Sequence, residues 1–206
     1  MTRELIADRV VHVVGIGLGV AGAIALVLVT AIDGGPDDLA PILIYAFGLL
    51  AMLGCSAAYN VFRTSGRSDW LRRFDHAAIF AMIAGTYTPF TTRLVSGWAS
   101  GLTAVIWAIA AVGIALKLWQ PRRIEAISIV LYLALGWIGL AAVGPFLAAL
   151  DGRTLALLAL GGIVYTAGVV FHLWQRLPYQ NAIWHGFVLV AASVHYVAVM
   201  GLIVGA

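Results

Sequence analysis

The chain has 206 residues, of which 63% belong to the apolar and aromatic set AVILMFWYC and only 10% are Asp, Glu, Lys or Arg. A soluble domain carries about 25% charged residues, so this composition excludes a water-covered globule and requires lipid to cover most of the surface. The net charge is +3 at pH 7, but the arginines flank apolar runs, where positive charge orients a membrane chain. Basicity is therefore no sign of nucleic acid, and no such partner is expected. The one cysteine, Cys55, excludes a disulfide framework within the chain.

Seven apolar runs follow in order: Val10–Ile32, Pro41–Phe62, Phe74–Phe90, Trp98–Trp119, Ile124–Val143, Leu155–Trp174 and Ala182–Val204. A bilayer core takes about 20 apolar helical residues to cross, whereas a barrel shows alternating segments of about 10. The expected fold is therefore an all-α integral membrane bundle of seven transmembrane helices, with residues 1–206 as a single domain. The first run is too long for a signal-peptide core, and Glu4 and Asp8 spoil a positive leader, so no cleavable leader is expected.

Basic residues set the expected orientation. Arg3, Arg9, Arg63, Arg67, Arg72, Arg73, Lys117, Arg122, Arg123 and Arg176 fall on one side, and Arg93 and Arg153 on the other, ten against two of the 12. The positive-inside rule then puts the N-terminus in the cytoplasm and the C-terminus outside, in the cell membrane. Trp70, Trp119, Trp174 and Trp184 fall near the inner interface and Trp98 near the outer one, where amphipathic rings settle.

Two motifs mislead. Gly17-Leu18-Gly19-Val20-Ala21-Gly22 matches GxGxxG by letter, but the dinucleotide fingerprint needs a strand before it. Gly15 and Gly19 read instead as a small-residue face for close helix packing, as do Gly161, Gly162 and Gly168 in the sixth run. The acidic stretch Asp33 to Asp38 lacks the spacing of a calcium loop and reads as a solvated turn.

Ionisable groups in membrane spans are costly and mark functional sites. Glu4, Asp8 and His12 recur every four residues on the approach to the first helix and share one helical face. Ser56 and Asn60 share a face near the inner end of the second, Asp75 and His76 open the third, and Asn181 and His185 start the seventh. The orientation gathers these groups in a band roughly 5–10 Å deep at 1.5 Å per residue. The plainer alternative for Glu4, His12 and His76 is an interfacial position. His172 and His195 read as packing histidines.

These residues carry a resemblance. Leu71-Arg72-Arg73-Phe74-Asp75-His76-Ala77-Ala78-Ile79, followed by Ile83-Ala84-Gly85-Thr86-Tyr87-Thr88-Pro89-Phe90, resembles the third-helix signature of the hemolysin III family, grouped with the progestin and adipoQ receptors. The likeness continues at Gly136-Trp137, at Gly161 to Gly168 and at Ala182-Ile183-Trp184-His185. It implies seven helices, an inside N-terminus and a zinc site near the cytoplasmic side. The implied ligands are a histidine ending a Ser-x-x-x-His motif on helix two and both histidines of a His-x-x-x-His motif on helix seven. The third-helix aspartate would position the attacking water.

The chain departs from that pattern where zinc depends on it. The two motifs read Ser56-Ala57-Ala58-Tyr59-Asn60 and Asn181-Ala182-Ile183-Trp184-His185. Asparagine offers a neutral amide oxygen, whereas zinc selects thiolate, imidazole or carboxylate. His185 with Asp75 remains as the metal pair, and Asp8, His12 or His76 would have to move in. The expectation is thus a hemolysin III-like membrane protein with a degenerate site rebuilt as a hydrogen-bond network, without cofactor and without enzymatic activity. Membrane lipid is its expected partner, and a lipid its expected ligand. The alternative is a zinc-dependent hydrolase of a lipid amide or ester, with Ser56 and Asp75 as catalytic candidates.

Overall fold

A computed structural model describes residues 2–63, 66–119 and 125–205. Arg122, Arg123 and the expected start of the fifth run at Ile124 lie outside the described residues. The elements are α1 (Arg3–Asp33), α2 (Leu39–Val61), α3 (Ser68–Thr91), α4 (Ser96–Trp119), α5 (Glu125–Gly136), a 3-10 turn (Ile138–Ala142), α6 (Val143–Ala149), α7 (Gly152–Leu173) and α8 (Gln180–Val204). With α5 and α6 joined through the 3-10 turn, these make a membrane bundle of seven spans. Among the described residues every regular element is helical.

The surface is that of a protein in lipid. Val13 is 72% exposed, Ile32 78% and Phe47 69%, a state that water would oppose and hydrocarbon tolerates. Six spans are long and apolar enough to cross a membrane by length and composition. The exception is α3, whose first turns carry Asp69, Arg72, Arg73 and Asp75. It tolerates this because it is the most enclosed helix, packed between α2 and α4 and touching α5 and α8. Its threonines bond to their own turn: the Thr86 hydroxyl donates to the Met82 carbonyl and that of Thr88 to Ala84, each at 2.8 Å. Thr88 also accepts the Trp107 indole N–H at 3.0 Å, and Thr91 the Thr103 hydroxyl at 2.6 Å, tying α4 to α3.

Two helices begin or end elsewhere than hydropathy suggests. The first starts at Arg3, about two turns before Val10, because Thr2 caps it by accepting the Leu5 N–H at 3.4 Å. Glu4 and Asp8 therefore lie on α1 itself. The fifth span continues to Ala149, beyond the expected Val143, but is broken between Gly136 and Val143. Backbone groups freed inside a membrane must be satisfied by other parts of the protein. The Tyr87 hydroxyl donates to the Gly136 carbonyl at 2.5 Å and accepts from the Gly139 N–H at 3.1 Å, clasping both sides of the break. The Trp137 indole donates to Thr166 on α7 at 3.0 Å.

The small-residue faces do bring helices together. Gly15 and Gly19 are buried and receive Leu53 of α2, and Gly168 receives Trp184 and Phe187. Trp184 lies in the first turns of α8, at the expected end, with its ring turned into the α7–α8 seam and 4.9 Å from that of His172. Trp70, Trp119 and Trp174 are exposed at the expected end and Trp98 at the other. In the acidic turn, Asp38 pairs with Arg93 at 2.8 Å and accepts the Gly35 N–H at 2.8 Å, so it ties the start of α2 to the end of α3.

The closest backbone approach is between α2 and α3. A Cβ on Gly48 would lie 3.1 Å from the Ala81 carbonyl oxygen and 3.2 Å from the Met82 Cα, and one on Gly85 would lie 3.2 Å from the Ile44 carbonyl oxygen. Backbone cannot give way as a side chain can. We therefore expect Gly48→Val to destabilise the bundle by about 1–3 kcal/mol through overpacking. Gly54→Ala, which meets nothing within 4 Å, should be neutral or mildly stabilising. Thermal unfolding in detergent measures both, and equal midpoints for the two variants would refute the tight seam.

Candidate functional site

Helix α1 carries Asp8 and His12 one turn apart, both buried against α8 and α2. The Asp8 Oδ1 accepts from His185 Nδ1 on α8 at 2.6 Å. Such a charge-assisted bond is strong because the low-dielectric surroundings do not screen it. His12 Nδ1 lies 2.8 Å from the Asp8 backbone oxygen and 3.8 Å from its carboxylate. A carbonyl only accepts, so Nδ1 carries the proton and Nε2 is left as acceptor. Nε2 faces the Asn60 amide and the Ser56 hydroxyl on α2, each at 3.3 Å. The two imidazoles stand edge to face with centroids 4.4 Å apart.

Helix α3 completes this wall. The Asp75 carboxylate is hydrogen-bonded to Ser56 and lies in the fields of His185 and Asp8. Asn60 fixes itself by donating to the Ser56 backbone oxygen at 3.0 Å. Glu4 sits one turn before Asp8 and accepts the Tyr179 backbone N–H at 3.2 Å. Tyr179 adopts the left-handed conformation (φ 60°) at the entry to α8. This contact lies two residues before Asn181 and six before His185, so it pins the end of α8 that delivers them. Asn181 lines the same cavity.

His76 goes elsewhere. One residue beyond Asp75, it projects about 100° around the helix and meets the opposite wall. Its Nδ1 lies 3.3 Å from Lys117 Nζ of α4, and its carbonyl accepts the Tyr132 hydroxyl of α5 at 2.9 Å. Lys117 is fully buried. Sequence reasoning counted it only as an interfacial cation; its place inside the apolar run, two residues before Trp119, was the available signal.

Both walls enclose a cavity of about 920 Å³. Its polar end holds His12, Ser56, Asn60, Asp75, Asn181 and His185, with Arg63 and Arg72 beside them. Its deep end is lined by apolar side chains of the fifth span and α7, such as Leu133, Phe146 and Leu155. Pockets for drug-sized ligands run about 300–1,000 Å³, and this one is polar at one end and apolar along its length.

The donor set decides whether metal fits. Among the described residues, one group brings three potential metal ligands together: Asp8, His12 and His185, whose ligand atoms lie within 4.8 Å of one another. Two imidazoles and a carboxylate suit zinc, and three protein ligands with one position open is the catalytic pattern. Of the expected pair of His185 with Asp75, only His185 belongs to this group, and α1 supplies the other two donors in place of Asp75. The signal was the i, i+4 spacing of Asp8 and His12, which gave the shared face but not the helix it would meet.

Comparison with known proteins agrees with this architecture. Residues 3–196 match the family described as Haemolysin-III related. The chain belongs to that family. It is 33% identical over 199 residues to the Hemolysin-3 homolog of Bacillus subtilis, covering 96% of this chain and 93% of the relative. It is 32% identical to Hemolysin-3 of Bacillus cereus, covering 96% and 91%. The human Monocyte to macrophage differentiation factor is 32% identical over 165 residues, covering 76% and 67%. This haemolysin III chain falls within the progestin and adipoQ receptor group.

The Asp8–His185 contact yields a stability prediction. Asp8→Ala removes the acceptor of a partly buried imidazole N–H and should cost about 1–3 kcal/mol. Asp8→Asn keeps an acceptor oxygen and should cost less. Unfolding midpoints that rank the two the other way would contradict the bond.

Proposed function

We propose that this chain is a metal-dependent membrane hydrolase that cleaves an amide or ester bond of a lipid, with Asp8, His12 and His185 as metal ligands. One observation carries the reading: His12 and His185 line the polar end of a lipid-sized cavity, and Asp8 brings a third donor atom within 4.8 Å of theirs. Enzymatic activity stood second in the sequence because Asn60 and Asn181 occupy two family ligand positions. The carboxylate and imidazole from α1 supply donors that those asparagines lack.

A divalent ion held by Asp8, His12 and His185 would supply Lewis acidity and an activated water at neutral pH, one route to hydrolysis of an amide or ester. The remaining work falls to the chain. Asp75, oriented by Ser56, is placed to take the proton of an attacking water. Asn60 holds His12 by donating to its Nε2 and would turn or release when that nitrogen is needed as a ligand. The apolar length of the cavity seats an acyl chain and keeps bulk water from the reacting bond. Arg63 at the polar end favours a substrate with an anionic or strongly polar head.

A second reading has its own support. The 2.6 Å bond from His185 to Asp8 and the Asn60 contact to His12 satisfy these groups without an ion. In that reading the cluster is a hydrogen-bond network joining α1, α2 and α8, and the cavity only binds lipid. Elemental analysis of the detergent-purified protein separates the two. We expect about one zinc per chain, lost in His185→Ala and in His12→Ala. Wild-type protein that stays metal-free after dialysis against micromolar zinc would leave the network reading in place.

We further propose that the polar end faces the cytoplasm, supported by the distribution of arginines. In a Cys55→Ser background, Arg67→Cys should resist an impermeant thiol reagent in intact cells and react after lysis. Labelling of intact cells would overturn that orientation.

A further inference from the structure

The deep half of the cavity holds a polar group that the metal centre does not use. His195 lies ten residues beyond His185 on α8, roughly 15 Å farther into the membrane at 1.5 Å per residue. Its ring occupies the space that Gly161 leaves open on α7, where a Cβ would collide with the imidazole. Nε2 donates to the Leu158 backbone oxygen at 3.2 Å. The neutral ring therefore keeps its lone pair on Nδ1.

Nδ1 has no hydrogen-bond partner among the described residues, and His195 lines the cavity. Tyr165, with its ring 5.7 Å from that of His195, lines the cavity too, and its hydroxyl is buried without a partner. Unsatisfied polar atoms at this depth are expensive, since hydrocarbon offers nothing to bond them. The nearby polar side chains are already committed: Trp137 donates to Thr166, and Thr166 to the Gly162 carbonyl. Whatever fills the cavity is what can satisfy Nδ1.

We propose that His195 is a second anchor for the cavity's ligand, with Nδ1 accepting a hydrogen bond from a hydroxyl set partway along an otherwise apolar chain. The ligand class is a long-chain amphiphile with its head at the His185 end and an oxygen about 15 Å along its tail. This rests on the reading of the cavity as a lipid site, and it deepens that reading by assigning tail specificity to one residue. It makes no demand on the metal.

Three fatty acids test it on the detergent-purified full chain, by displacement of a fluorescent fatty acid. Stearic acid has no hydroxyl, 2-hydroxystearic acid carries one beside the head, and 12-hydroxystearic acid carries one at about the required depth. We expect 12-hydroxystearic acid to bind roughly three- to tenfold tighter than stearic acid, the worth of a single hydrogen bond, and the 2-hydroxy acid to gain nothing. His195→Phe, which refills the slot with a ring but no acceptor, should abolish that preference, bringing stearic and 12-hydroxystearic acid to equal affinity or reversing their order. His195→Asn, which keeps an acceptor near the Nδ1 position, should retain part of it. Equal binding of all three acids by the wild type overturns the proposal and points to water as the partner of Nδ1. A preference that persists in a folded His195→Phe variant also overturns it. Failure of every acid to bind instead overturns the lipid-cavity reading itself, and this inference with it.

Discussion

The hydrogen bond between Asp8 and His185 joins the first membrane helix to the last. Two weaker polar links support it, the Tyr179 N–H donating to Glu4 at 3.2 Å and the Tyr196 hydroxyl donating to the Gly22 carbonyl at 3.0 Å; apolar contact in lipid gives little directional preference. The bond fixes both rotation and depth, because a carboxylate and an imidazole meet at 2.6 Å in only one register. From that register follow the approach of His12 to Ser56 and Asn60 on α2 and the place of Asp75 behind Ser56. The same pairing leaves the cavity open between α1, α2, α3, α7, α8 and the fifth span. Polar chemistry at one end of the bundle and empty space along its length are two results of one constraint.

A second constraint is that a bilayer offers no partner to a stray backbone group. Helix α3 meets it with threonines that bond within their own turn and with tryptophan and threonine partners from α4. The fifth span meets it with Tyr87, whose hydroxyl serves an acceptor and a donor on either side of the break. Such satisfied polar groups let α3 run through the middle of the bundle although its composition alone would not mark it as a membrane span.

Much of this was legible in the residues. Seven apolar runs follow from hydropathy because lipid imposes a length. Helix α3 was found in spite of its charges, since the apolar stretch from Phe74 onward is long enough once flanking arginines are set aside. The convergence of Asp8, Asn60, Asp75 and His185 at one end followed from counting which helix ends lie together. Side-chain pairing did not follow. Nothing in the spacing of Asp8 and His12 says that they meet His185 rather than lipid, because helix rotation is set by contacts distant in sequence. The inward turn of Trp184 depends on Gly168, a partner on another helix. Lys117 and His76 were hidden for the same reason, as their 41-residue separation carries no local pattern. The break near Gly136 was not read from the sequence, which gave one continuous fifth run, and the partner that stabilises it, Tyr87, lies 49 residues away.

The polar cluster lies within a few turns of one end of the bundle, and the cavity runs from it toward the middle of the membrane. A bilayer presents its two leaflets in opposite senses, with headgroups outward and tails inward. Only a lipid from the leaflet on the side of the N-terminus has its polar group at the depth of His185 and its tail pointing along the cavity. A lipid from the other leaflet would have to invert before it could fit. On the proposed reading of the cavity as a lipid site, the bundle would discriminate between leaflets by geometry alone, before any residue reads the chemistry of the head.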